Sequence, residues 1–135
     1  MTDTALADAI AQVNQARASG QVPMVKTFFD QATFTATHVV WDPDARKAAI
    51  VDPVLDFDQP SGRTSTANAD AVIGFVREEG LTVEWLLETH AHADHLSSAP
   101  YLQAEIGGRT AIGRAIRTVQ ETFATVFNAP ASLAR

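Results

Sequence analysis

Hydrophobic positions along the chain switch between helical and strand periods, and each switch predicts an element. Leu6, Ile10 and Val13 recur at helical spacing with Gly20 and Pro23 beyond them, which predicts an opening helix ending near Ser19. Its apolar stripe is narrow and suits a peripheral helix packed on its own domain better than a dimerisation arm. From Val25 to Phe29 and from Phe34 to Trp41 β-branched and aromatic residues dominate. Asp42-Pro43-Asp44-Ala45 then turns the chain into a third strand, Lys47 to Val51. This is a β-meander, stopped at Asp52-Pro53 because proline donates no backbone hydrogen bond to a sheet. A polar loop, Asp56 to Thr66, is expected to follow.

Ser65 or Thr66 caps a predicted helix whose apolar face is Ala69, Val72, Ile73 and Val76, closed by Glu78-Glu79-Gly80. The mostly apolar run from Leu81 to Leu87 suits a buried strand. Meander, helix and strand together make an α/β plan. Further on, Ser97 or Ser98 with Pro100 starts a short helix through Tyr101, Leu102 and Ile106, ended by Gly107-Gly108, and Thr110 to Ile112 forms a short strand. Ile116, Val119, Phe123, Val126 and Phe127 then define a strongly amphipathic last helix, whose apolar face requires a cover. Trp41 and Trp85 fall inside strand patterns and are assigned to the core. There is no internal repeat.

Composition narrows the function classes. A chain of 135 residues that is 46% hydrophobic accommodates one domain or part of one. A net charge of -6 without a long block of either sign argues against a nucleic-acid partner. The absence of cysteine excludes disulfides, thiolate metal ligands and a cysteine nucleophile, and fits a reducing cytoplasm. Acids occupy the amino-terminal stretch from Met1 to Asp8 where a signal peptide carries basic residues, so export is not expected. No apolar run approaches the roughly 18 to 20 residues of a membrane-spanning helix. A soluble, cytoplasmic protein with no membrane partner is the expectation.

The candidate chemistry is concentrated. Of the four histidines, three, His90, His92 and His95, lie within six residues directly after the apolar strand, together with Asp94. In an extended segment residues two apart point the same way, so His90 and His92 can aim at one point and Asp94 and His95 at a neighbouring one. The carboxyl end of a strand is where open α/β sheets place ligands. Imidazole and carboxylate suit zinc, iron and manganese. A chance polar cluster capping a strand is the bland alternative, and the six-residue pattern argues against it. His38 is a lone strand histidine and is assigned a structural role. Asp52, placed between a strand and Pro53, either hydrogen-bonds an imidazole and fixes its tautomer or serves as a turn residue. Arg63 could meet an anion, but a solvated side chain is the expectation.

The segment Glu88-Thr89-His90-Ala91-His92-Ala93-Asp94-His95 resembles the Thr-His-x-His-x-Asp-His motif of the metallo-β-lactamase superfamily. Many hydrolases of that superfamily, glyoxalase II among them, continue with a glycine pair. Here the continuation is Leu96-Ser97-Ser98-Ala99-Pro100-Tyr101-Leu102, which looks like the persulfide dioxygenase branch. Further similarity lies in Ile50-Val51-Asp52-Pro53-Val54 with Asp56-Phe57-Asp58, in Gly62-Arg63-Thr64-Ser65-Thr66, and in Ile112-Gly113 leading to Val119-Gln120 and Phe127-Asn128. It covers about residues 24 to 128.

The resemblance implies an α/β fold of the αββα sandwich type. The chain would supply its amino-terminal half, with 1–20 as an amino-terminal helix and 21–135 as part of the domain. It also implies an iron(II) held by two His and one Asp, and glutathione persulfide as the substrate oxidised to sulfite and glutathione. By the motif match His90 is the ligand in this chain, with His92, Asp94 and His95 around the metal. In the dizinc hydrolases, His90 and His92 hold one metal and Asp94 and His95 the other. The family draws its remaining ligands from a second half. After His95 this chain has no His and no Asp. It is therefore expected to supply half a site and to need a second-half polypeptide or a homo-oligomer. The alternatives are a zinc-dependent thioester hydrolase of the glyoxalase II kind and a non-catalytic half-domain that associates with a partner chain.

Overall fold

A computed structural model describes residues 3–20 and 22–129. The predicted meander is present as β1 (Met24–Asp30), β2 (Thr35–Trp41) and β3 (Lys47–Val51), paired antiparallel in sequence order. Two further strands, β6 (Thr82–Glu88) and β8 (Arg109–Ile112), extend the sheet in parallel beyond β3, giving the order β1-β2-β3-β6-β8. Helices α2 (Ala67–Glu78) and α3 (Ala99–Ile106) make the crossovers that parallel neighbours require. The α/β plan expected from the sequence is therefore the observed one.

The core lies between these helices and one face of the sheet. Val39, Trp41, Ala48, Ile50, Val83 and Leu86 meet Ala69, Val72, Ile73 and Val76 of α2, and Ala99 and Leu102 of α3. The apolar face predicted for α2 is thus its buried face, and each large side chain enclosed there contributes about 1.5–3 kcal/mol. The alternate positions of the same strands point to the opposite face. There Val25 and Phe29 are exposed, and Val40, Ala49, Trp85 and Leu87 are only half-buried. Trp85 therefore departs from the core role expected of it: the Arg109 guanidinium sits 4.0 Å above its ring on this open face.

Several local expectations are corrected. The segment read as a polar loop, Asp56 to Thr66, contains most of a hairpin of β4 (Val54–Asp58) and β5 (Arg63–Ser65). Its strand character was hidden because the acids of Val54-Leu55-Asp56-Phe57-Asp58 find local partners: Asp56 accepts from the Asn68 backbone and side-chain amides, and Asp58 from the Ser61 hydroxyl. A two-residue strand, β7 (Leu96–Ser97), pairs with Val54 and Leu55 and ties the chain after the histidine cluster to this hairpin. Thr66 is the N-cap of α2, but its hydroxyl donates to Asp70 and not to a backbone amide. Helix α1 (Asp3–Ala18) ends where expected. Its stripe residues Ile10 and Val13 are 52% and 51% exposed, so they do not pack on the domain as anticipated. The last helix, α4 (Ile116–Val126), buries none of its residues, and Phe123 and Val126 are 49% and 67% exposed. No helix among the described residues is long and apolar enough to cross a membrane.

Candidate metal centre

The histidine cluster leaves the carboxyl end of β6, beside the end of β3, as a run of bends and not as an extended strand. Asp52, the residue after β3, anchors it. Its φ of 50° is left-handed, a conformation aspartate tolerates better than most non-glycine residues. The Asp52 amide donates to the Leu87 carbonyl (2.8 Å), and its own carbonyl accepts from the Thr37 hydroxyl (2.9 Å). These two bonds fix the backbone on which the carboxylate stands. The carboxylate accepts from the Thr89 amide (2.7 Å), the Thr89 hydroxyl (2.8 Å) and His92 Nε2 (2.9 Å). Burial pushes the Asp52 carboxyl up, but these hydrogen bonds outweigh it and hold the group below its ordinary value.

The contacts define the tautomers of all three imidazoles. His92 commits Nε2–H to Asp52, leaving a lone pair on Nδ1, which lies 3.8 Å from Asp94 Oδ1. The Thr89 hydroxyl spends its single proton on Asp52, so at 2.8 Å it accepts from His90 Nδ1–H and leaves the His90 Nε2 lone pair free. His95 Nδ1 is 2.9 Å from the Leu96 carbonyl, which can only accept; His95 Nε2 is buried without a hydrogen-bond partner. Each ring thus has one nitrogen tied to the protein and the other left as an unused donor of electrons. That is the arrangement a metal-binding histidine requires, and the orphaned nitrogen of His95 fits a cation better than an empty apolar contact.

The grouping differs from the one expected. Donor atoms of His92, Asp94 and His95 lie within 4.8 Å of one another, as do those of Asp52, Glu88 and His92. His90 belongs to neither trio, although its ring centroid is 4.2 Å from that of His92. The bends after β6 are the reason: they break the two-residue alternation that would have paired His90 with His92 against Asp94 and His95. Asp94 is exposed. Its own backbone amide is the main influence holding its carboxyl below the ordinary value, and the Thr35 hydroxyl (3.1 Å) adds to it.

Thr35 and Thr37 were not singled out from the sequence, and Glu88 and Thr89 stood there only as part of the motif segment with no role of their own; each is an ordinary polar residue at or near a strand end. Asp52 was singled out, with two roles left open, and its carboxylate meets the His92 imidazole. His38 has the structural role expected, 2.9 Å from the Thr27 hydroxyl. Arg63 is exposed and lines a cleft with Asp30, Asp56 and Asp58, away from the histidines. A second cavity of about 580 Å3 between the end of α1, Trp41 and Trp85 lies at the opposite end of the strands and touches no residue of the motif.

The family model for the metallo-beta-lactamase superfamily matches residues 31–133. The chain belongs to the metallo-β-lactamase superfamily. Within it, the chain is 49% identical over 110 residues to the "Beta-lactamase hydrolase-like protein" of Xylella fastidiosa (strain Temecula1 / ATCC 700964), covering 82% of this chain and 26% of that protein. It is 30% identical over 108 residues to the human "Persulfide dioxygenase ETHE1, mitochondrial", covering 80% of this chain and 38% of that one. The crystal structure of ETHE1 from Myxococcus xanthus superimposes with a TM-score of 0.54 at 26% identity, over 64% of this chain and 34% of that chain. The chain therefore spans about a quarter to two fifths of the length of these superfamily relatives.

Proposed function

We propose that the protein at its full length is an iron(II) persulfide dioxygenase, oxidising glutathione persulfide to sulfite, and that residues 21–135 contribute the amino-terminal half of its metallo-β-lactamase domain. The observation that carries this is the chain directly after His95. Where the superfamily's hydrolases place a glycine pair, Leu96-Ser97 forms β7 on the hairpin, and Ser98 with Pro100 opens α3. The 30% identity to a human persulfide dioxygenase supports the same direction. His90, with its free Nε2, would be the ligand contributed by this chain. His92, Asp94 and His95 would surround the metal, with Asp52 orienting His92. An iron(II) bound there would supply open positions for a thiolate-type substrate and O2. The chain's own groups would fix the imidazole tautomers and keep the hydrogen-bonded Asp52 carboxylate beside the site.

A second reading has its own support. The trio of His92, Asp94 and His95 fits a site in which all four motif residues bind, as in a dizinc thioester hydrolase, and the relative at 49% identity is named hydrolase-like. Metal analysis of the full-length protein separates the two. About one iron per chain with oxygen uptake on glutathione persulfide supports the dioxygenase, while two zincs per chain with turnover of a glutathione thioester overturns it. His90→Ala is expected to abolish metal binding in either case. Asp94→Ala discriminates: under the iron reading the metal stays largely bound and turnover falls about 10- to 100-fold, whereas loss of metal favours the dizinc site.

A further inference from the structure

We infer that Glu88 is a positioning residue for His92, setting a second carboxylate beside the Nε2–H that Asp52 accepts, and that the Ser97 hydroxyl holds Glu88 in place. The inference rests on the metal-centre reading and adds to it a device that spans the motif, from the residue before Thr89 to the second residue after His95. Glu88 ends β6, and its Oε2 lies 3.3 Å from His92 Nε2, on the same nitrogen that Asp52 Oδ1 approaches to 2.9 Å. Its other oxygen accepts from the Ser97 hydroxyl. The His92 and Glu88 side chains are 8% and 18% exposed, and Glu88 Oε2 makes no hydrogen bond of its own.

Electrostatics says what this arrangement is for. Asp52, Glu88 and Asp94 surround one imidazole, and no Lys or Arg among the described residues pairs with any of them; the ion pairs that do form are Arg46–Glu79, Lys47–Glu84 and Arg77–Glu105. Two carboxylates facing one N–H repel each other and leave a buried oxygen without a donor, an unfavourable arrangement. A cation held in the site on the Nδ1 side of His92, whether or not His92 itself binds it, would polarise the ring, make the Nε2–H a stronger donor and offset both carboxylates. Glu88 would thus be better satisfied with a cation in the site than without one. Ser97 is placed for this role by β7, since its pairing with Val54 sets where the hydroxyl stands.

The test compares the wild-type full-length protein with Glu88→Gln, which keeps the shape and removes the charge, Ser97→Ala, which frees Glu88, and Ser97→Thr, which restores a hydroxyl. Cobalt(II) affinity is measured by competition with a chelator, together with the number of ions bound and the visible cobalt spectrum. Ring nitrogen NMR of the metal-free protein reports the His92 tautomer. Glu88→Gln is expected to bind cobalt about 10-fold more weakly, with the number of ions unchanged and the spectrum shifted. Ser97→Ala should move in the same direction and Ser97→Thr should return toward wild type, which a merely structural serine would not require. Affinity within about twofold of wild type in both Glu88→Gln and Ser97→Ala overturns the inference, and so does loss of a whole ion per chain, which would make Glu88 a ligand. If Glu88→Gln does not fold, Ser97→Ala and Ser97→Thr decide alone. A wild-type protein that takes up no ion overturns the metal-centre reading itself, and this inference with it.

Discussion

At the scale of single residues the site depends on groups that accept several hydrogen bonds at once. Asp52 accepts from Thr89 and His92 while holding a left-handed backbone. Asp52→Asn keeps both the shape and the tolerance of that φ and should lose about 1–3 kcal/mol, whereas Asp52→Ala adds backbone strain and should lose more. Urea unfolding of the two variants checks the order. Asp30 gives a pH test. Burial pushes its carboxyl up, but the Thr33 hydroxyl, the Thr33 and Ala32 amides and Asn68 outweigh it and hold it below its ordinary 3.8. A lowered folded value stabilises the fold above the unfolded value, and the contribution disappears as pH falls through the lowered one. Asp30→Asn should therefore reduce Tm near neutral pH, with the difference closing once the pH drops below 3.8 and through the folded value. Asp52 was legible in the sequence because its position, between an apolar strand and a proline, has few uses. Thr89, Thr35 and Glu88 were not legible, since their roles exist only through partners up to 59 residues away.

At the scale of elements, glycines separate two kinds of connection. Gly74 lies on the exposed side of α2 with nothing near the position of a Cβ, so Gly74→Ala should stabilise by about 0.5–1 kcal/mol, since alanine restricts the unfolded chain more. Gly108, between α3 and β8, has a φ of 95°, and a Cβ there would stand 3.1 Å from Val83 Cγ1. Gly108→Ala should lower Tm, and thermal melts of the pair should move in opposite directions. The helices α2 and α3 and strands β6 and β8 were readable because their apolar period and their glycine stops agree. The hairpin of β4 and β5 was not: charged residues in a partly buried strand look like a loop until the amides that satisfy them are known. The bends in the histidine cluster were missed for a related reason, because carboxylate acceptors, and not a ladder, hold that segment.

At the scale of the whole molecule, one face of the sheet is closed by helices and the other is left half-open, with Val25, Phe29 and the Arg109-covered Trp85 on it and Phe123 and Val126 exposed on α4. Exposed apolar faces of this kind favour association. If the half-site proposal holds, the 135-residue chain on its own should form dimers or larger species by light scattering and bind iron(II) weakly, and adding a polypeptide that carries the second half should correct both. A tight-binding lone monomer would refute the half-site argument. The parallel neighbours at the centre of the sheet also have a consequence in time. Asp52 precedes Thr89 by 37 residues, and at about 5–20 residues per second of synthesis roughly 2–7 s pass before its partner leaves the ribosome. Throughout that interval the three strands of the meander exist without β6, the parallel neighbour of β3. The acid that meets the histidines is made first, before the strand that will pair with the far edge of β3.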